Sequence, residues 1–180
     1  MRRLAIALVH HPVLDGHGAT VTTALTNLDV HDLARSARTY GCTDYFVVHP
    51  IDAQRELATR IVDHWTHGSS AQRIPDRKDA LSLVRPVATL LDVIRTLGPD
   101  TETWVTAARE VGTTLAWSDA RLTLESDGGP VLLVFGTGWG LAPEVVERAN
   151  AVLAPIRGVG PWNHLSVRSA CAIALDRLRG

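Results

Sequence analysis

Residues 131–144 read VLLVFGTGWGLAPE. Five apolar residues, Val131 to Phe135, predict a buried strand. They run straight into Gly136, Gly138 and Gly140 on alternate positions, with Trp139 among them. Pro143 then suits the first turn of a helix, where its missing N–H costs nothing. A strand, a glycine loop and a helix in this order belong to a parallel α/β sheet, whose ligands lie beyond the carboxyl ends of the strands. Glycine there permits positive φ and close approach of a backbone to a ligand. Two familiar glycine loops do not match. No Gly-Lys-Ser/Thr follows, so this is not a P-loop. The spacing is G-x-G-x-G on about the fifth strand, so it is not the dinucleotide fingerprint. A tight turn packed by Trp139 remains open as a purely structural reading.

On either side of this stretch, apolar runs of strand length alternate with segments of helical period. The strands expected are Leu4–Val9, Asp44–Val48, Leu81–Arg85, Thr103–Ala107, Val131–Phe135 and Val152–Ile156. The helices expected are Asp29–Tyr40, Ala53–His67, Val87–Leu97, Ser118–Glu125, Pro143–Ala151 and His164–Arg179. This alternation predicts one α/β domain over 1–180, a mostly parallel sheet with helices on both faces. Thr26 or Asn27 is expected to cap the first helix, Gly41 to end it and Ser118 to cap a later one. His10–Thr23, Gly68–Asp79 and Gly158–Asn163 read as irregular, the first two long enough to suggest functional loops.

Composition narrows the class. The chain has 180 residues, 46% hydrophobic, with a formal net charge of −1. That balance argues against a protein that coats nucleic acid through bulk positive charge, though not against a local basic patch. Lys78 is the single lysine, so the basic residues are almost all Arg, the side chain suited to bidentate phosphate and base contacts. No apolar run reaches the roughly 18 residues of a membrane span. The basic start MRRLAIALVHHPV has too short an apolar run for a signal peptide. Cys42 and Cys171 show no ligand or redox spacing, so a reduced, cytoplasmic setting is expected. No metal-ligand signature is found among the histidines and acids.

Two further blocks are polar where a plain scaffold would not be. In GVGPWNHLSVRSACAIALDRLRG, Asn163, His164 and Ser166 stand at a helix start after another strand end, and small residues line the helix that follows. A pocket shared with the glycine loop accounts for them together, although helix capping accounts for Asn163 alone. In ALTNLDVHDLARSARTYG, Asp29, His31, Asp32, Arg35 and Arg38 crowd one helix, with Leu28, Leu33, Ala34 and Ala37 expected on its buried side. Asp32, Arg35 and Arg38 share a face at spacing of three. A solvated face with an internal ion pair is the alternative.

Taken together, HHPV, TNLDVHDLARSARTYG, FGTGWGL and PWNHLSVRSACAIALDRL resemble the SPOUT class of RNA methyltransferases. More narrowly they look like a bacterial family of SPOUT methyltransferases found alone or fused to a tRNA guanine-N1 methyltransferase. The resemblance covers nearly the whole chain. It implies a deep trefoil knot at the C-terminus, an exception to the no-knot rule, with S-adenosyl-L-methionine (SAM) bent inside it. It implies a cofactor pocket of Thr106, Ala107, Phe135, Gly136, Thr137, Gly138, Trp139, Gly140, Leu141, Ile156, Gly158, Asn163, His164, Leu165, Ser166 and Val167. Arg35 precedes Gly41 by six residues, as the RNA-facing Arg of the class precedes its Gly. Asp29 stands where the class has Asn. The class's Asn-x-Ser reads Asn-x-x-Ser here, which puts His164 in the Asn position. A homodimer through the first and last helices is implied, with an RNA substrate, tRNA or rRNA, contacted by His10, His11, Arg35 and Arg38.

The expected activity is therefore methyl transfer from SAM to RNA. An acceptor must be aligned with the sulfonium methyl and lose a proton. Arg35, Asp29, His31 and Asp32 are the catalytic candidates, Arg35 as the orienting residue and the base unassigned. The competing reading is a knotted domain that binds SAM or RNA without catalysis. A nicotinamide oxidoreductase is disfavoured, because no acidic ribose ligand follows a first-strand glycine motif. Gly138→Val is expected to abolish cofactor binding in a folded protein.

Overall fold

The computed structural model describes residues 1–68 and 70–180. Leu4–Val9 forms β1, buried along its whole length, with Leu4, Ile6 and Leu8 facing one core and Ala5, Ala7 and Val9 the other, as the two-residue period of a strand requires. Val13–Leu14 (β2) and Thr20–Val21 (β3) pair as a small antiparallel hairpin. Asn27–Thr39 (α1), Tyr45–Val48 (β4), Asp52–Thr66 (α2), Ser70–Arg73 (α3), Pro75–Leu81 (α4) and Val84–Val87 (β5) follow. The second half holds Leu90–Leu97 (α5), Glu102–Val105 (β6), Trp117–Glu125 (α6), Val131–Gly136 (β7), Pro143–Glu147 (α7), Ala151–Val152 (β8) and Val167–Arg179 (α8).

Six strands form one sheet in the order β5-β4-β1-β7-β6-β8, and every neighbouring pair is parallel. Residues of α1, α2, α4, α6 and α8 fill the core on one face. Residues of α5, α7 and the hairpin fill the other. From β1 the chain winds outward to β4 and β5, crosses to β6, steps back to β7 and ends at the edge strand β8. Afterwards α8 returns beneath the middle of the sheet, against α1, α6 and β7. Because β1 continues to one side and β7 to the other, their carboxyl ends flank a topological switch point.

Local chemistry sets most boundaries. The Thr26 hydroxyl accepts from the Asp29 N–H and caps α1, so Asn27 is the first helical residue rather than the cap. Gly41 has φ +66° just beyond the helix, the left-handed position glycine fills without a Cβ penalty. Thr89 and Asp92 form a reciprocal capping box at α5.

Several expected boundaries shift. Leu81, placed in a strand by its apolarity, ends α4, and the strand begins at Val84; Ala80 and Leu81 are the buried residues of a helix that Pro75 opens. The expected Gly68–Asp79 loop thus carries α3 and α4. The Val87 start gives way to Leu90, because Val87 pairs with Val48 in the sheet. The α7 helix ends at Glu147 and β8 covers two residues, with Pro155 two places past a bridge at Leu153. Ser118 lies inside α6, whose N-cap is Ala116 with no side-chain cap. Helix α8 starts at Val167, capped by Ser166, which accepts from the Ser169 N–H, so Asn163 and His164 precede it. Leu28, expected on the buried side of α1, is 60% exposed and Val30 takes its place. Both cysteines are free and buried, and burial pushes the Cys42 thiol up to about 12.

Candidate active site

The carboxyl ends of β1, β4 and β7 meet in a buried polar network. His10 follows β1 and stacks at 5.1 Å on His49, which follows β4. His49 Nδ1 accepts from the Ile51 N–H at 3.2 Å, so its proton sits on Nε2, which donates to the Thr23 carbonyl at 2.9 Å. Thr137, at the end of β7, donates its hydroxyl to the Val9 carbonyl at 3.2 Å. Thr23 then donates to the Thr137 hydroxyl at 2.5 Å and accepts from His10 Nδ1 at 3.0 Å. This leaves His10 Nε2 buried without a hydrogen-bond partner. Burial, helped by the neighbouring His49 ring, pushes the His10 imidazole down to about 4. Burial also lowers His49.

The glycine loop sits on this network and is held by the hairpin. The Trp139 N–H donates to the Leu14 carbonyl at 2.9 Å, and the Leu14 N–H donates to the Gly140 carbonyl at 2.9 Å. Gly138 has φ +59°, and a Cβ there would lie 2.7 Å from the Leu14 carbonyl oxygen. A Cβ at Gly136 would lie 2.7 Å from the Leu141 nitrogen. These two glycines are therefore required by chain packing. That differs from the expectation that their role is approach to a ligand. Gly140, at φ +108° with no atom within 4 Å of a built Cβ, borders open space.

Three loops converge here. The Asn163 amide donates to the Ala108 carbonyl at 2.7 Å, tying the loop before α8 to the loop after β6. His164 contacts the Trp139 ring edge-on at 5.7 Å and the Trp162 ring at 4.8 Å. The Thr106 hydroxyl and N–H both donate to the Val134 carbonyl at 3.0 Å, joining β6 to β7. Trp139, Trp162 and Leu165 are 59%, 77% and 46% exposed. Large apolar faces beside open glycine backbone suit a ligand with a flat base and polar ends, and SAM fits that description. Ala107 and Ile156 are half-buried, and Gly158 and Ser166 are exposed on the same loops. Phe135 and Leu141 are sealed in the cores, which leaves only their backbone for a ligand, and Val167 packs against the core.

Helix α1 is tied to these loops by Arg168, a residue the sequence reading passed over. Arg168 donates to the Asp29 carboxylate at 2.8 Å and lies 3.6 Å from Asp32. Asp29 is buried. The internal ion pair of the alternative reading does not form between Asp32 and Arg35; Asp32 turns to Arg168 instead. Arg35 and Arg38 are exposed. His31, Asp32 and Arg35 line a cleft of about 560 Å³ between α1, α2 and α4. Burial and the nearby Arg77 guanidinium lower the His31 imidazole. The structure thus separates the four catalytic candidates, with Asp29 turned inward and the other three on the cleft. His11 Nδ1 donates to the Val21 carbonyl at 3.2 Å and lies 3.0 Å from the Thr22 hydroxyl at the hairpin base. His10 has no exposed surface, so the RNA contact expected of it is withdrawn.

Among the described residues, no cluster of three or more His, Cys, Asp or Glu is placed to hold a metal, and no helix is long and apolar enough to cross a membrane. A family model described as SAM-dependent RNA methyltransferase matches residues 3–180. A tRNA (guanine-N(1)-)-methyltransferase of Oleidesulfovibrio alaskensis is 43% identical over 183 residues, covering 99% of this chain and 42% of that protein. The chain thus spans less than half the length of that relative. The crystal structure of a probable methyltransferase from Bordetella pertussis Tohama I superposes with a TM-score of 0.67 at 18% identity, covering 99% of this chain and 95% of that one. The A. aeolicus TrmH/SpoU tRNA modifying enzyme superposes with a TM-score of 0.61 at 14% identity, covering 99% and 75%. At such identities the likeness is one of fold, and the fold is that of the SPOUT methyltransferases.

Proposed function

The chain belongs to the family of SAM-dependent RNA methyltransferases, and from that premise we propose that residues 1–180 act as one catalytic unit that methylates tRNA or rRNA in the cytoplasm. The observation that carries the reading is the convergence of the loops after β6, β7 and β8 at one edge of the sheet, tied to α1 through Asp29–Arg168. SAM supplies an electrophilic methyl on its sulfonium. Trp139, Trp162 and His164 offer ring faces for its adenine, and the backbone near Gly140, Gly158 and Ser166 offers polar groups for its ribose and methionine ends. The return of α8 to the middle of the sheet after the edge strand supports a trefoil knot around that pocket.

Arg35 orients the RNA. Its exposed planar fork holds a phosphate or a base edge in two parallel hydrogen bonds. An arginine stays protonated, so it steadies charge on the acceptor and does not remove the proton. Asp32 and His31 stand on the same cleft as candidate bases, while Asp29, engaged by Arg168, holds α1 in place. His11 and Arg38 extend the RNA-facing surface. A homodimer through α1 and α8 completes the RNA site.

Isothermal titration with SAM, and nucleoside mass spectrometry of RNA from a deletion strain and its parent, test this reading. Asn163→Ala and His164→Ala are expected to weaken SAM binding at least about tenfold, the equivalent of roughly 1.4 kcal/mol. The deletion strain is expected to lack one methylated nucleoside. Parental SAM affinity in both variants would move the pocket elsewhere.

A further inference from the structure

The cleft on which His31, Asp32 and Arg35 lie extends to Arg60 of α2 and Arg77 of α4, around the half-buried Trp65. None of Arg35, Arg60 and Arg77 has a carboxylate within 4 Å among the described residues, in contrast to Arg55 of α2, which pairs with Asp52. Asp32 is the one carboxylate lining the cleft, and it faces Arg168. Three guanidiniums from three helices thus face one space without the acidic partners that a solvated ion-pair surface would carry. Aromatic groups are interleaved with them. The Arg77 guanidinium lies 4.6 Å over the Trp65 ring, and His31 meets the same indole edge-on at 5.3 Å. The stacking fixes Arg77 in one orientation, so less freedom is lost when it grips an anion.

We propose that this cleft is a second RNA contact, in which Arg60 and Arg77 take phosphodiester groups of the strand whose acceptor nucleotide Arg35 orients. The proposal rests on the reading above and deepens it, because it assigns binding to α2 and α4, away from the cofactor loops. A cleft of about 560 Å³ exceeds what a lone phosphate fills. Its mixture of guanidinium, indole and imidazole matches the charge and π-faces of a single-stranded nucleotide run. Trp65 is a positioning residue for Arg77, and Arg60 is exposed on α2, so its replacement leaves the core untouched.

The test is fluorescence anisotropy of a labelled short single-stranded oligoribonucleotide and of labelled bulk tRNA, titrated with the full chain at several salt concentrations. For Arg60→Ala/Arg77→Ala, RNA affinity is expected to fall at least about tenfold. The slope of log Kd against log salt should flatten by about 1.5, since each phosphate contact contributes roughly 0.7–0.9. Arg60→Lys/Arg77→Lys should restore the slope but not the full affinity, which a structural role would not do. SAM affinity should stay parental in both, which also shows that the variants are folded. Parental RNA affinity and slope in the alanine variant would overturn the proposal while the parent still transfers methyl groups. A parent that binds no SAM would overturn the functional reading instead. Displacement of either RNA by low-millimolar inorganic pyrophosphate, lost in the alanine variant, would overturn the RNA assignment in favour of a small-phosphate site. Equal loss of affinity for an acidic peptide and for RNA would overturn it in favour of a protein surface.

Discussion

His10 shows how a single residue joins sequence, packing and pH. Its imidazole is buried with one nitrogen unpartnered, and burial and the His49 ring hold it at about 4. In the unfolded chain it titrates near 6.5. Between these values the unfolded state takes up a proton that the folded state does not, so stability falls as pH drops from about 6.5 towards 4, by roughly 3 kcal/mol for a buried group. Urea unfolding of the parent and His10→Asn at about pH 7.5 and 4.5 should show a smaller pH dependence in the variant; identical dependence would reassign the effect to other groups. Arg168 makes a second case. Its loss leaves the buried Asp29 carboxylate without its ion-pair partner. Such a loss costs several kcal/mol when both partners are buried, and about 2 kcal/mol here because Arg168 is one-third exposed. Arg168→Ala/Asp29→Asn should recover part of that in a denaturation cycle, and full additivity would mean that the pair does not couple.

At the scale of elements, the glycine loop and the hairpin form one unit. A side chain at Gly138 meets strained φ and the Leu14 carbonyl, so Gly138→Ala is expected to cost roughly 2 kcal/mol by thermal unfolding. Gly160→Ala, with nothing within 4 Å, should stay within about 0.5 kcal/mol. Gly138→Val is therefore expected to weaken SAM binding through the hairpin rather than only by filling the pocket. This coupling was not legible in the sequence, because β2 and β3 have two residues each and their partner lies more than 100 positions away. The apolar run before the glycines was legible, since a buried parallel strand needs nothing but its own residues to declare itself. Helix α4 was missed because only Ala80 and Leu81 of its seven residues are buried, too few to show a helical period. Arg168 stood within a recognised block, but its partner is 139 positions distant, and charge alone does not say which acid an arginine will meet.

At the scale of the whole molecule, the proposed enzyme combines three loops at one sheet edge, a helix that faces RNA and a second copy of the chain. Light scattering at micromolar protein should give twice the 19.5 kDa chain mass; a monomeric mass would remove the partner from the RNA site. The central claim is that Arg35 orients RNA at a SAM site it does not build. The direct measurement is single-turnover transfer of tritiated methyl from SAM to RNA isolated from a deletion strain, with SAM affinity determined on the same preparations. Arg35→Ala should bind SAM as the parent does and lose methyl transfer by about a hundredfold or more, a barrier increase of roughly 2.7 kcal/mol. Arg35→Lys should fail nearly as badly, because an ammonium lacks the planar fork. Parental turnover in Arg35→Ala would contradict the account and leave His31 and Asp32 as the residues to test.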